Sequence, residues 1–216
     1  MMQRRCKVKI LIACEESQTI TKAFRKKGHE AYSCDLQEES GGHPEWHIQC
    51  DALQEAYSGA YDLMIAHPPC TYLAVSGARW MYNKDGSRNE ERWNNQLDAL
   101  KFVQKLMDAP IDKIAVENPV SVISSQIRKP DQIIQPYHFG DEATKTTCLW
   151  LKGLPLLTHT NVVGKGEKVT YKSGKSHPKW YADALSKAKT KAERQKLRSK
   201  TFTGIANAIV DQWGSV

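Results

Sequence analysis

Lys7-Val8-Lys9-Ile10-Leu11-Ile12-Ala13 is followed by a segment from Ser17 to Lys27, then Gly28, then His29-Glu30-Ala31-Tyr32-Ser33-Cys34-Asp35. The first run has the length and apolar content of a buried strand. The second reads as a helix that places Ile20, Ala23 and Phe24 on one face, with Gly28 as its terminator. The third reads as a second strand ending in an acid. Strand, helix, strand in this order predicts a βαβ unit and hence a parallel sheet. Further along, His47-Ile48-Gln49-Cys50-Asp51 is a third strand and Tyr61 to His67 a fourth, which runs into Pro68-Pro69-Cys70. A polar stretch from Asn83 to Asn95 leads into a helix over about 93–107. Lys113 to Pro119 is a fifth strand, and Thr146 to Leu151 a late one.

In such sheets ligands bind beyond the carboxyl ends of the strands. The chemically unusual residues gather there: Glu15-Glu16-Ser17, Asp35, Asp51, Pro68-Pro69-Cys70 and Glu117-Asn118-Pro119. A cysteine on a proline-stiffened turn after a buried strand is well placed for a nucleophile, with nearby cations expected to favour the thiolate. Glu117, an acid closing an apolar run, is costly to bury unless paired or used. Cys70 and Glu117 together make a nucleophile and an acid. The cysteines at 6, 14, 34, 50 and 148 read as packing residues. With no CxxC pair, neither a disulfide scaffold nor a zinc ribbon is expected, and a reducing cytoplasm is the expected setting.

The chain of 216 residues carries a net charge of +7. Residues 165–200 hold 12 Lys and Arg against 3 acids, so all of the excess lies in one late segment. A local basic block points to a polyanionic partner. Residues 160–178, rich in Gly, Lys and Ser, read as a mobile loop. Lys179 to Arg198 reads as one basic helix, in which Lys179, Lys187, Lys191, Arg194 and Arg198 are candidates for phosphate contacts and Trp180, with Tyr181, for stacking on bases. Ala206 to Trp213 is a short terminal helix. No run approaches the roughly 18 apolar residues of a membrane span, and the basic start reads as no signal peptide.

The order Asp62 to Cys70, then Val116-Glu117-Asn118-Pro119, resembles the C5-cytosine DNA methyltransferase family, which has a Pro-Cys loop after one strand and Glu-Asn-Val after the next. Leu11 to Asp35 is similar to that family's first cofactor segment, and Thr203-Gly204-Ile205-Ala206-Asn207-Ala208-Ile209 to its closing Gly-Asn-Ala-Val helix. The chain resembles the short phage-type members in particular. The resemblance implies a Rossmann-like S-adenosylmethionine-dependent methyltransferase sheet with helices on both faces. It implies a catalytic domain over 1–158, a basic loop and helix for nucleic-acid contact over 159–200, and a terminal helix over 201–216 that completes the first domain.

The implied chemistry is covalent. Cys70 adds to C6 of cytosine, protonated Glu117 bonds N3 and the exocyclic amine, and Asn118 anchors the loop or the substrate. S-adenosylmethionine is the implied cofactor. Asp35 accepts from its ribose, Leu36 packs on its adenine and Asp51 accepts from the adenine amine, while Glu15, Ser17, Pro68 and Asn207 complete the surroundings. Asp35 and Asp51 also read simply as loop caps, Asp51 more so than Asp35. DNA, single-stranded or with the base flipped out, is the implied partner.

The chain departs from the pattern in four places. Ala13-Cys14-Glu15-Glu16-Ser17 stands where the family has Phe-x-Gly-x-Gly-Gly. Glu-Asn-Pro replaces Glu-Asn-Val. Arg128 or Lys145 stand in for the family's Gln-x-Arg-x-Arg. Only about 50 residues separate the late strand from the closing motif, which leaves no room for a target-recognition domain. Two other functions fit these departures: C5 modification of a free pyrimidine nucleotide, and a non-catalytic DNA-binding protein on a methyltransferase scaffold.

Overall fold

Alternation along the first strand, β1 (Lys9–Ala13), divides the core in two. Successive side chains of a strand leave opposite faces, so Ile10 and Ile12 project one way and Leu11 and Ala13 the other; all four are fully buried. The first pair packs with Ile20 and Phe24 of α1 (Thr19–Lys26) and Ile205, Ile209 and Trp213 of α7 (Thr203–Trp213). The second pair lies under α2 (Ala52–Ala56) and α3 (Glu90–Met107), with Val103 and Leu106 of α3 in the same cluster. The computed structural model describes residues 8–215. Cys6 and Lys7, the first residue of the expected opening strand, lie outside the described residues.

The other strands of the main sheet are β2 (Glu30–Asp35), β3 (His47–Gln49), β4 (Leu63–Ala66), β5 (Lys113–Asn118), β6 (Gln132–Ile134) and β7 (Thr147–Lys152). They pair in the order β3-β2-β1-β4-β5-β7-β6. Strands β1 to β5 are mutually parallel, and β7 runs antiparallel to both β5 and β6. This is a Rossmann-like α/β sheet, with helices on both faces and one reversed strand. The order reverses between β1 and β4, which sets a ligand crevice at their carboxyl ends.

Gly28 ends α1 as expected: its φ of 87° is left-handed, open to glycine without strain. Two expectations fail in the basic segment. Residues 160–178 contain a hairpin, β8 (Lys168–Thr170) paired with β9 (Ser176–Pro178). The single basic helix is two, α5 (Lys179–Lys187) and α6 (Lys191–Ser199). The break has a local cause. Thr190 accepts from the Glu193 amide at 3.1 Å, and Glu193 reaches back to the Thr190 amide, forming a capping box that starts a new helix. A short helix, α4 (Ile123–Gln126), follows β5. Among the described residues no helix is long and apolar enough to cross a membrane.

Gly204 lets α7 dock. Its amide donates to Asp141 Oδ2 at 2.8 Å, and an added Cβ would stand 2.0 Å from the Phe139 carbonyl oxygen. Gly204→Ala is therefore expected to lower stability by about 2–3 kcal/mol, the cost of overpacking against backbone. Urea unfolding followed by circular dichroism checks this; an unchanged midpoint would show that α7 can shift freely.

Candidate active site

β4 and β5 are neighbours in register, with Ala66 opposite Val116. The chain therefore leaves β4 through His67-Pro68-Pro69-Cys70 directly beside Glu117 and Asn118. Asn118 is buried, and its Nδ2 donates to the Pro68 carbonyl at 2.8 Å, tying the cysteine loop to β5. Pro68 itself is buried. Helix α3 holds the next residues: Arg92 Nη2 donates to the Thr71 carbonyl at 3.0 Å and Gln96 Nε2 to that of Tyr72 at 2.7 Å. Cys70 is exposed.

The electrostatics differ from the sequence expectation. Partial desolvation and then the Glu117 charge push the Cys70 thiol above its ordinary value, while Lys145 and Arg198 only pull it part of the way back. The cysteine thus rests as a thiol and not as a thiolate. Burial pushes the Glu117 carboxyl up. The His67 hydrogen bond, aided by Lys145 and the Thr147 hydroxyl, outweighs that and holds it below the ordinary carboxylate range. Glu117 is therefore ionised at neutral pH, whereas the resemblance noted in the sequence leads to the acid being expected there. Its partner is His67, whose Nδ1 lies 3.0 Å from Glu117 Oε2. Sequence reading missed His67; the available signal was a histidine standing immediately before Pro-Pro-Cys at a strand end.

At the other half of the crevice β1 turns sharply. Cys14 has φ 60°, and the amides of Cys14 and Glu15 both donate to the Cys34 carbonyl. Asp35 closes β2, its Oδ1 accepting from the Gln37 amide at 2.9 Å, and Asp51 caps α2 through the Leu53 amide at 3.0 Å. The charges of both acids bear on Cys14, whose thiol is pushed to about 12 first by burial and then by them. Leu36, 73% exposed, stands beside Asp35. Two carboxylates next to an uncovered apolar side chain suit a ligand with hydroxyls and a flat ring.

Glu15 has a different part from the one expected. It is buried, and its oxygens accept from the Ile20 amide at 2.7 Å, the Thr21 amide at 3.2 Å and the Thr21 hydroxyl at 2.7 Å. It caps α1, whose N-cap residue Gln18 makes no capping bond of its own. Ser17 Oγ lies 3.1 Å from Thr19 Oγ1, and Asn207 is exposed on α7.

Helix α6 spans the crevice. Lys196 Nζ lies 3.5 Å from Glu16 Oε2 on the β1 side. On the β5 side Lys145 Nζ donates to the carbonyls of Ser199 and Lys200, at 3.4 and 3.2 Å, at the carbonyl-rich end of the helix. Arg198 lies 4.6 Å from the Tyr181 ring, and its charge reaches Cys70. Lys187, Lys191 and Arg194 are exposed, while Lys179 pairs with Asp183 at 3.1 Å. Trp180 is not an open stacking surface: its Nε1 donates to the Thr144 carbonyl at 3.0 Å and its ring packs edge-on against Phe202, so it anchors α5. Exposed aromatics paired with arginine do occur just after Cys70, where Arg79 lies 4.4 Å from the Trp80 ring.

Of the two stand-ins for the missing arginine motif, Lys145 is at the site. Arg128 is not: it binds Asp131 and the Leu151 carbonyl, at the opposite end of β7 from Thr147. There it lines a cavity of about 590 Å³ with Gln104, Met107 and Trp150, remote from Cys70. Among the described residues no group of three or more His, Cys, Asp or Glu side chains is placed to hold a metal ion.

Sheet and site together define a Rossmann-like α/β domain with a cysteine, a glutamate and a histidine at its central crevice. No family model matches the chain, and no curated protein matches it. Among solved structures it is similar to a candidate DNA modification methyltransferase encoded within a prophage of E. coli, at a TM-score of 0.44 and 10% identity over 83% of this chain. The chain spans 64% of the length of that protein, just under two thirds.

Proposed function

We propose that the chain is an S-adenosylmethionine-dependent methyltransferase acting on C5 of cytosine in DNA through a covalent bond between Cys70 and C6. The observation that carries this reading is the juxtaposition of Cys70 and Glu117 at adjacent strand ends, with Asn118 pinning the loop between them. The cofactor fits the donor set: Asp35 and Asp51 would accept from its ribose hydroxyls and adenine amine, and Leu36 would cover its ring. Glu16 to Thr19, Pro68 and Asn207 would frame the rest, while the Glu15 side chain is taken up by α1. The cofactor supplies the methyl group.

The chain's own residues do the remainder. Cys70 gives up its proton to solvent and its sulfur forms a bond to C6, while the ring's electron pair is drawn toward N3. Glu117 takes up one proton from solvent, donates it in a hydrogen bond to N3, accepts from the exocyclic amine and stabilises that charge. After C5 is methylated, loss of its proton expels the Cys70 sulfur and restores the ring. The base must be out of the stack for C6 to be reached. Exposed Lys187, Lys191, Arg194 and Arg198, on the segment that bridges the crevice, would neutralise phosphates.

Labelled methyl transfer is measured with duplex DNA, single-stranded DNA, RNA and dCMP as acceptors. Label in DNA that is lost in Cys70→Ala supports the reading; label in none of the four overturns it. Label in dCMP alone would favour the second reading, a free pyrimidine nucleotide as substrate, which the short segment between β7 and α7 favours. A further expectation concerns salt. Lys191→Ala with Arg194→Ala should flatten the dependence of log affinity for DNA on log salt by roughly 1.5, about 0.7–0.9 for each phosphate that is no longer neutralised. An unchanged slope would remove α6 from the interface.

A further inference from the structure

The structure assigns a role to His67: it is the positioning residue of Glu117, pinning Oε2 through Nδ1 so that the carboxyl meets the target ring with Oε1. This rests on the reading proposed above, and the geometry narrows it to one residue. Because Ala66 and Val116 are register partners, the next residue of each strand stands beside the other. The His67 amide continues the sheet by donating to the Ala13 carbonyl at 2.9 Å, which fixes the backbone that carries the ring. The 2.8 Å bond from Asn118 to the Pro68 carbonyl clamps the residues that follow each partner. Between these fixed points Nδ1 and Oε2 are 3.0 Å apart, with side chains only 14% and 21% exposed.

His67 Nε2 is buried with no hydrogen-bond partner among the described residues. A proton there would be an unpaired buried donor, so the arrangement that costs least places the ring's single proton on Nδ1, donated to Glu117. The carboxyl is then held as the carboxylate. On engaging N3 it takes up one proton from solvent, which becomes the N3 hydrogen bond, and the histidine keeps its own proton throughout. His67 thereby sets both where Glu117 points and how readily it takes that proton. The other groups facing Glu117 are Lys145 and Thr147 before and on β7, Cys148 on β7, and Cys70 across the crevice, with Arg198 of α6 beyond it. Lys145, Thr147, Cys70 and Cys148 are unchanged in the variants below.

Two variants separate positioning from packing. His67→Ala removes ring and bond, and His67→Asn keeps a donor at the Nδ1 position that cannot titrate. Carboxyl carbon NMR of Glu117 gives a readout that needs no turnover. In His67→Ala the Glu117 titration is expected to move up, and the methylation kcat to fall at least about tenfold with the cofactor KM within twofold. The alkaline limb of the pH profile should move to higher pH, because the carboxyl then takes its proton more readily. His67→Asn should restore kcat to within about threefold and return the titration. An unmoved Glu117 titration in folded His67→Ala, or a kcat within twofold of wild type, overturns the assignment. Should wild type transfer no methyl group while the titration still moves, the reaction reading falls and the His67–Glu117 coupling stands.

Discussion

Cys70→Ala is expected to abolish methyl transfer, by at least about 10³-fold, the scale on which loss of a covalent nucleophile is felt. Stability should change by no more than about 0.5 kcal/mol, because Cys70 is exposed and its loop is held by Asn118, Arg92 and Gln96. DNA carrying 5-fluorocytosine isolates the covalent step. Fluorine at C5 cannot leave as a proton, so the Cys70–C6 bond persists, and mass spectrometry should find a protein–DNA adduct in wild type and none in the variant. Transfer at more than a tenth of the wild-type rate by Cys70→Ala would end the covalent reading. The thiol itself offers a check without substrate. Since Lys145 and Arg198 hold its pKa down, replacing either by alanine should slow alkylation at fixed pH, and Glu117→Gln should speed it.

Glu15→Ala is expected to cost roughly 2–4 kcal/mol, from the loss of charge-assisted bonds to two backbone amides and a hydroxyl at the start of α1. For a chain of this length that corresponds to a fall in Tm of about 5–15 °C. Glu15→Gln, which keeps one acceptor, should lie between. Calorimetry decides the matter. A Tm within 1 °C of wild type would mean that the carboxylate is not needed by α1 and would return it to the cofactor site, where its place in sequence had suggested it belongs.

Glu15 also shows where sequence reading stops. That Asp35, Cys70 and Glu117 lie at strand ends was legible, because each closes or follows a short apolar run marked by a proline or a loop. What an acid at such a place binds was not legible, since Glu15 and Asp35 differ only in which backbone amides fold back to them. The reversal of β7 left no local mark: a buried strand reads the same in either direction. Trp180 looked like a stacking platform because the Thr144 carbonyl and Phe202, which hold it, are 36 and 22 residues away along the chain. The break between α5 and α6 was legible in principle from Thr190-x-x-Glu193, but the basic residues on both sides made one continuous helix the simpler reading. His67 went unnoticed because its meaning depends on the pairing of β4 with β5.

The packing of α1 against α7 has a kinetic consequence. One face of the sheet is covered by helices from opposite ends of the described chain, and Ile205, Ile209 and Trp213 share a single core cluster with Ile20 and Phe24. Closing a loop that spans almost the whole chain has an entropic cost before any contact repays it. Topologies dominated by such distant contacts fold slowly. Until α7 arrives, the apolar faces of α1 and β1 remain open to water and to other chains. The half-finished molecule is therefore the aggregation-prone one, and the closing helix is what ends that exposure.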